Sequence, residues 1–423
     1  MTETAPTRRT RLTDVPSAYA DERDSGFGYV WRYWAVVVLF AAIAAERSAA
    51  LGIGVRDPEG QMFRARLAKA LVFLIVIALV EAVVRARHRG WSPRHVVAVL
   101  RERWTGQRLV LVLTGLVGYH VVYLCYRNLK SWNAFNQLRD DDLLAFDKAL
   151  FLGHHPAALL HTLVGEEYAA DALAVVYRSF TYVIVLALVG SLALIPRVRR
   201  AYVFLSAATW AWILGTFAYY VLPSLGPYAA APAEFAGLRP TAITETQAEY
   251  LTERAAFLAD PSMPDAFVSL GAFASLHVGF TTLVLLMARY YGLRRTTRVL
   301  AGYLALIIVS TIYFGWHYVT DDVAGVLIAL TAVQLGKWTV FPPRSPARRR
   351  TRRGSCSGAR SWSRPSWPAC CTSSGGGCWR RPAATSPPRT RGRRSRGPTP
   401  AAPTTWPGTA ACTRSPTAPS RRT

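Results

Sequence analysis

Two short polar strings lie at the ends of long apolar runs in this chain. The first is Ser-Leu-His at residues 275–277, and the second is His-Tyr-Val-Thr-Asp at residues 317–321. An aspartate four residues after a histidine lies one helical turn further on, where its carboxylate can orient the imidazole. The oriented imidazole can attack phosphorus, and a second histidine can move the proton. Because ionisable groups in or beside a bilayer are costly, a functional role is the first hypothesis for both strings.

The two strings predict three catalytic side chains for phosphoryl chemistry. His317 is the predicted nucleophile, Asp321 accepts a hydrogen bond from its other ring nitrogen, and His277 is the general acid and base. A structural interpretation stays open for the second string. Trp316 and Tyr318 flank its histidine, as in an aromatic belt at a membrane interface. The acids of the string would then only begin the next helix.

The residues around the first string are candidates for holding phosphate. The Ser275 hydroxyl could bond a phosphate oxygen, or it could act as the N-cap of the following helix. The first amides of that helix, from Leu276 to Gly279, could hold an anion, because N-terminal amides of helices point outward and carry partial positive charge.

Composition predicts a membrane protein. The chain has 423 residues, is 51% hydrophobic and has a positive mean hydropathy. Most of its apolar segments approach the roughly 20 residues that cross a bilayer as a helix. The approximate spans are 33–50, 68–84, 109–126, 172–196, 200–222, 271–292, 297–315 and 321–341. We therefore expect an all-α fold: a polytopic membrane helix bundle with about eight transmembrane segments, six of which form the catalytic core.

The positive charge is concentrated at the C-terminal end. The net charge is +25, and residues 343–423 contribute 18 Arg and no Asp, Glu or Lys. These residues also include no Ile, Val, Leu, Phe, Tyr or Met, so they cannot build a core and we expect a disordered tail. A shifted reading frame in a GC-rich gene would explain the abrupt change. A native basic tail touching anionic lipid headgroups is the alternative. The charge does not predict binding to nucleic acid.

Charged loops predict how the bundle is oriented. Loops 85–108, 197–200 and 289–298 are rich in Arg and are expected to be cytoplasmic, whereas the acidic loops 127–171 and 223–270 are expected outside. Both polar strings then meet at the outer face. The first acidic loop has apolar residues at helical spacing, which predicts a helix in the membrane interface, and the second is expected to cover the site. The resulting parts are a cytoplasmic arm (1–32), an accessory transmembrane hairpin with a basic loop (33–108), a catalytic membrane domain (109–342) and the tail (343–423).

The two strings resemble the second and third signatures of the type 2 phosphatidic acid phosphatase superfamily. Within it, the Ser-Leu-His string and the His-Tyr pair, followed by Asp321 and by Ala-Gly at 324–325, are more similar to the inositol phosphorylceramide synthase branch. The resemblance covers roughly residues 110–341. It implies an α-helical membrane bundle that acts on membrane lipids without a metal or other cofactor. It also implies His317 as nucleophile, Asp321 as its partner and His277 as acid and base.

The chain departs from the family pattern where cations are expected. The Ser-Arg pair ahead of the nucleophilic histidine is replaced by Ser-Thr at 310–311, and the stretch 219–227 has neither the Lys nor the Arg-Pro of the first signature. Pro223, Pro227 and Tyr228 instead resemble the Pro-rich stretch of the synthase branch, which makes Tyr228 a candidate substrate-binding residue. The cationic clamp on phosphate is therefore absent or rebuilt from other residues.

Four cations are candidates for a rebuilt clamp. Arg178 is favoured, because it lies within an apolar segment toward its outer end, where an arginine needs a partner or a polar cavity. Arg127 and Lys130 follow the end of a segment, where snorkelling to the interface is the default. Arg239 lies in a loop and is expected to be solvated.

The predicted function is a metal-independent lipid phosphatase or phosphotransferase. It would work through a phosphohistidine at the extracytoplasmic face of a bacterial plasma membrane. By resemblance, transfer of a phosphoinositol-type headgroup is favoured over hydrolysis. The alternative is a proton-coupled transporter in which the two histidines and the aspartate form a proton relay. Inverted repeats, which such transporters often have, are not visible in the sequence. The lipid donor, the acceptor and the oligomeric state stay open at this point.

Overall fold

A computed structural model of the chain describes residues 27–263 and 265–343. Most of the predicted cytoplasmic arm and nearly all of the predicted tail, with its frame-shift hypothesis, lie outside the described residues. The described part contains thirteen α-helices. They are α1 (Gly28–Leu51), α2 (Arg64–Arg87), α3 (Pro93–Arg103), α4 (Gly106–Trp132), α5 (Asp140–Leu150), α6 (Pro156–Val164), α7 (Tyr168–Leu194), α8 (Val198–Val221), α9 (Pro227–Ala230), α10 (Ala242–Ala259), α11 (Leu276–Tyr290), α12 (Arg294–Tyr313) and α13 (Val319–Val340).

The all-α polytopic fold predicted from hydropathy is confirmed. Each of the eight apolar segments coincides with a helix, and seven of these helices are long and apolar enough to cross a membrane. The helix α2 has exposed Val72, Ile75 and Val80, as expected for a face that contacts lipid. These features make the chain a multi-pass membrane protein.

The remaining apolar segment, predicted at 271–292, forms the shorter helix α11. It has 15 residues and begins only at Leu276, so it spans about 22 Å at 1.5 Å per residue. The preceding residues form an irregular stretch because their N–H groups have partners outside a helix. Ala272 N–H donates to the backbone oxygen of Ser224 (2.8 Å), and Phe273 N–H donates to the side-chain Oγ of Ser224 (3.0 Å).

Close helix crossings hold the core together. The most extensive pairing is between α8 and α13, and α8 also packs on α4. A Cβ atom on Gly336 would lie 2.7 Å from the backbone nitrogen of Ala207, so only glycine permits this approach. The first helix belongs to the same core, since Tyr33 is buried and its hydroxyl donates to the Gly115 oxygen at 3.0 Å. The proposed boundary between residues 108 and 109 stays a prediction.

Arginines cap helix C-termini at one end of the bundle. Arg32 Nε donates to Thr339 O (2.7 Å), and Arg199 Nη2 donates to Val340 O (3.1 Å), both at the end of α13. Arg108 donates to four carbonyls at the end of α7, those of Leu192, Ala193, Ile195 and Pro196. These carbonyls lack partners within their own helix, so the guanidinium groups satisfy them and complement the helix dipole. The end where α13 begins lies on the opposite side.

The two acidic loops are largely helical. Loop 127–171 contains α5 and α6, so the predicted helix in this loop is confirmed. Loop 223–270 contains α10, an 18-residue helix that the sequence analysis did not predict. Its N-terminus has a capping box between Thr241 and Thr244. Its buried residues, Ile243, Gln247 and Phe257, are too few to give a continuous apolar stripe, which is why hydropathy missed it.

Candidate active site

The three predicted catalytic side chains lie together at one end of the bundle. The ring centroids of His277 and His317 are 5.8 Å apart, and Nδ1 of His317 is 3.4 Å from Oδ2 of Asp321. His277 is the second residue of α11, while the other two lie just before and within the first turn of α13. Since α12 runs back between them, α11 and α13 begin at the same end of the bundle, and the two strings forty residues apart lie in one cluster. Two imidazoles at this separation can act on the same phosphorus from two sides.

The Asp321 carboxylate caps the start of α13 and also faces the His317 ring. It is completely buried, and its Oδ2 accepts a hydrogen bond from Tyr318 N–H at 3.0 Å, as part of a capping box. The same oxygen faces the His317 ring, and Oδ1 has no hydrogen-bond partner in the described part of the chain. The neighbouring Asp322 is engaged elsewhere, since it accepts from Thr311 Oγ1 at 3.0 Å. Of the two acids, Asp321 is therefore the one that faces the predicted nucleophile.

His317 is buried, which disfavours the charged form of its ring. It is only 5% exposed, and the backbone of Ala272 lies within hydrogen-bonding reach of its ring. Burial lowers the pKa of His317 well below its usual value of 6.5, and the nearby His277 and Lys130 lower it further. The ring therefore keeps a free lone pair at neutral and mildly acidic pH, which is the form that attacks phosphorus.

This lowered pKa predicts the acidic side of the pH–rate profile. As the pH falls to 6.5, kcat/KM for a phosphodiester lipid should not decline, because His317 stays unprotonated there and a lower pH only favours the proton that His277 must carry. A phosphodiester suits the measurement, since it does not titrate in this range, whereas a phosphomonoester takes up a proton near pH 6. An acidic limb centred at or above pH 6.5 would contradict the burial argument.

Two aromatic residues that the sequence analysis missed hold the other imidazole. Tyr177 stacks on His277 at 4.4 Å between centroids, and Phe180 lies at the same distance on a tilted plane. The Tyr177 hydroxyl is 3.5 Å from Nδ1 of His277. The two aromatics are three residues apart on α7 and so share a face, which is the one signal that could have found them.

The predicted clamp residue Arg178 lies on another face of α7. Its side chain is exposed, whereas its neighbour Tyr177 points to His277. Arg239, expected to be solvated, forms an exposed ion pair with Asp171 at 3.0 Å. The geometry therefore gives no support to a clamp built from Arg178, and that role stays a prediction.

Lys130, for which snorkelling was expected, lies at the site instead. Its Nζ is 4.9 Å from the centroid of the Tyr219 ring, and its Cε would be 2.9 Å from a Cβ on Gly271. The ammonium group is close enough to both histidines to act on them electrostatically. No carboxylate in the described residues forms an ion pair with it. Arg127, three residues earlier, donates to Ser269 Oγ at 2.8 Å.

Ser275 of the first string and Gly279, two residues after the string, have structural contacts. Ser275 is completely buried, and its Oγ caps α11 by accepting from Val278 N–H at 3.4 Å. Gly279 N–H donates to Ser275 O at 2.9 Å, and a Cβ on this glycine would lie 3.1 Å from Gly325 O on α13. The helix-capping alternative for Ser275 is thus observed. Helix packing accounts for Gly279, whose predicted contact with phosphate gains no support.

An aromatic cluster borders the predicted nucleophile. The Trp316 ring lies 5.3 Å from that of Tyr228 and 5.9 Å from those of Tyr177 and Tyr250. Trp316 Nε1 and the Tyr228 hydroxyl are buried without a hydrogen-bond partner in the described part of the chain. The helix α10 supplies Tyr250, and its Gln247 donates to Phe314 O at 2.6 Å. The segment 223–270 thus packs against the residues just before His317, and its role as a cover for the site stays a prediction.

A loop with two glycines fixes the entry to the second string. Gly226 (φ 109°) and Gly315 (φ 65°) both have backbone conformations that other residues rarely adopt. A Cβ on Gly226 would lie 2.7 Å from Trp316 O, and Tyr228 N–H donates to Gly315 O at 3.0 Å. The loop before α9 therefore packs directly on the backbone that precedes His317, the predicted nucleophile.

Metal chemistry has no evident site here. Across residues 27–263 and 265–343, no group of three or more His, Cys, Asp and Glu side chains could hold a metal ion. The absence of a metal or other cofactor from the reaction remains a prediction from the resemblance.

The comparison with known proteins covers the same part of the chain as the site. A family model described as the PAP2 superfamily matches residues 141–335, which include both polar strings. No curated protein and no solved structure matched the chain. The match does not distinguish the inositol phosphorylceramide synthase branch from others. It supports the assignment of residues 141–335 to the PAP2 superfamily.

Proposed function

We propose that this protein is a membrane phosphotransferase that moves a phosphoinositol-type headgroup from one lipid to another through a phosphohistidine. The observation that carries the proposal is the meeting of His277, His317 and Asp321 at one end of a bundle that matches the PAP2 superfamily. The family match and the apolar helices support a membrane enzyme of phosphatase type.

The reaction has two balanced steps. Nδ1 of His317 faces Asp321, so Nε2 is the nitrogen left to attack phosphorus. As the P–N bond forms, the P–O bond to the donor lipid breaks, and protonated His277 gives its proton to the leaving oxygen. His277 then takes the proton of the acceptor hydroxyl, which attacks phosphorus and breaks the P–N bond. Asp321 stabilises the positive charge that His317 carries while it is phosphorylated.

Lys130 is the proposed cation for the phosphate. A phosphodiester carries one negative charge, and a single ammonium that pairs with no carboxylate of residues 27–263 and 265–343 balances it. The family's phosphate cations are missing from the expected positions, at 310–311 and 219–227. The lysine is half-buried and lies against Tyr219, so the ammonium is held near the site by packing.

The cluster around Trp316 is the proposed headgroup subsite. Buried polar atoms without partners cost about 1–3 kcal/mol each, and a hydroxylated headgroup would supply partners for Trp316 Nε1 and the Tyr228 hydroxyl. One oxygen of Glu253 on α10 is also buried without a partner in the described residues. A quaternary ammonium headgroup offers no hydrogen bonds and would be repelled by Lys130 and Arg127. The chemistry therefore favours a polyol over choline.

An apolar groove beside the site supports a lipid substrate. Its volume is about 410 Å³, and it lies between α5 and α13. The residues that line it are Asp142, Leu143, Phe146, Leu222, Phe273, Thr320, Val323, Ala324 and Leu327. Thr320 is next to Asp321, and Phe273 follows Ala272 at the His317 ring, so a chain in the groove would reach the reacting centre.

The proposed site faces the outside of a bacterial plasma membrane. The Arg-rich loops 85–108, 197–200 and 289–298 should lie in the cytosol. The arginine-capped C-terminus of α13 is at their end of the bundle, and the histidines are at the other.

The test uses the purified full chain in nanodiscs with phosphatidylinositol labelled in its inositol ring. We expect the label to move to an added lipid with a free hydroxyl, such as ceramide, in the presence of EDTA. Release of soluble inositol phosphate alone would overturn transfer and leave a hydrolase that cleaves the phosphodiester with water. Labelled lipid that stays uncleaved, together with proton-driven uptake in proteoliposomes, would favour the transporter instead. Loss of turnover in EDTA would contradict metal independence.

A further inference from the structure

Two buried carboxylates on α5 face the backbone around the catalytic histidine. Asp140 and Asp147 are seven residues apart, which is two helical turns, so they share one face of α5. Both are buried, whereas Asp141 on the same helix is exposed. Neither acid forms an ion pair in the described residues. Burial raises the pKa of both carboxyls, so keeping an acid here needs specific hydrogen bonds.

Asp147 holds the first turn of α13. Its Oδ2 accepts from Val319 N–H at 2.7 Å, and its Oδ1 faces Thr320 N–H at 3.4 Å. The first N–H groups of a helix have no partner within that helix and need one from elsewhere. Asp321 takes the N–H of Tyr318, and Asp147 takes the next two along the chain.

Asp140 holds the segment on the other side. Its carboxylate accepts from Leu225 N–H (2.9 Å) and Gly226 N–H (2.9 Å), in the loop that packs on Trp316 O. It also accepts from the Tyr318 hydroxyl at 2.9 Å. The two acids of α5 thus contact the chain immediately after His317 and the loop packed immediately before it.

We propose that Asp147 is a positioning residue for phosphoryl transfer, which from α5 fixes the first turn of α13 and so sets Asp321 against His317. The inference rests on the proposed function. The distance that it controls is the 3.4 Å between Nδ1 of His317 and Oδ2 of Asp321. In Asp147→Asn a single amide oxygen replaces the two carboxylate oxygens that face these part-buried N–H groups, and the amide NH2 cannot accept from the other, so the turn that bears Asp321 loses its fixed position. Asp140 acts on the same backbone from the opposite side.

The test replaces Asp147 by asparagine, with Asp141→Asn as the matched control on the same helix. Loss of a partner that orients a catalytic group typically costs 10–100-fold, by analogy with outer-shell partners at metal sites. We expect Asp147→Asn to lower kcat about 10–100-fold with KM within about twofold. Asp141→Asn should keep both constants. A rise in KM with unchanged kcat, or no change at all, would overturn the proposal.

A double-mutant cycle separates positioning from general destabilisation. If Asp147 acts through Asp321, then Asp147→Asn should have little further effect on kcat in an Asp321→Asn background. Fully additive losses would show that Asp147 acts elsewhere and would overturn the proposal. The variant His317→Ala, measured alongside, separates failure of the proposed phosphotransfer from failure of the positioning role of Asp147. If that variant stays active, the proposed function fails. If it is inactive while Asp147→Asn matches the wild type, only the positioning fails.

A second variant removes the donor in place of the acceptor. Val319→Pro deletes the N–H that Asp147 accepts, at the first position of α13, where proline is well tolerated. The preceding Tyr318 already has the extended conformation that proline requires (φ −72°, ψ 157°). The same selective loss of kcat is expected. If Asp147→Asn does not fold, this variant decides, and wild-type kcat in a folded Val319→Pro protein would overturn the proposal.

Discussion

Replacement of His317 by alanine is expected to abolish turnover, with a loss of at least about 10³-fold in kcat. The reason is that this ring is the proposed nucleophile, and no other group in the site can accept phosphorus at the same point. His277 is 5.8 Å away, and its Nδ1 already faces the Tyr177 hydroxyl. Quenched reactions with a lipid donor labelled at phosphorus should give an acid-labile labelled protein for the wild type and none for the variant.

The control is a histidine that is equally buried but distant from this chemistry. His120 lies within α4, is 4% exposed, and has Nδ1 2.8 Å from Leu116 O. In His120→Asn the amide can replace Nδ1 in this contact, so turnover and labelling should stay near wild type. Label that persists in His317→Ala, or turnover within tenfold of wild type, would contradict a phosphohistidine at this position.

The pairing of the two strings could be predicted because it depends only on where apolar runs end. His277 lies at the start of one membrane helix and His317 just before the next but one, so an alternating bundle brings them to the same end whatever the helix rotations. Hydropathy gives that information directly. The Asp321 partner followed from its four-residue spacing, which is a local property of the helix.

The rest of the site depends on helix rotation and on contacts between distant segments. Arg178 and Tyr177 are adjacent, and a turn of α7 by one position would exchange their environments. Hydropathy sets no such angle, so the sequence favoured the charged residue, although the structure turns the aromatic one inward. The acid Asp147 bonds backbone atoms 172 residues away, which no pattern in the chain can indicate.

The position of Lys130 needs the same kind of information. At the end of an apolar segment a lysine ordinarily extends to the interface. Here, however, the segment continues as helix to Trp132, so the lysine is still within α4 and its side chain lies against Tyr219 of α8. The sequence offered four cations for one role, and packing distinguishes among them.

Lys130→Met is therefore expected to lower kcat/KM about 10²–10³-fold, as loss of one preorganised donor to a developing oxyanion does in other enzymes. Methionine keeps the length and apolar contact of the side chain at Tyr219 and Gly271 and removes only the charge. The matched variant Arg178→Gln removes a charge from an exposed position nearby and should change kcat/KM less than about twofold. Steady-state rates with a phosphodiester lipid measure both. A larger loss of kcat/KM in Arg178→Gln than in Lys130→Met would indicate that Arg178, and not Lys130, is the cation that binds phosphate.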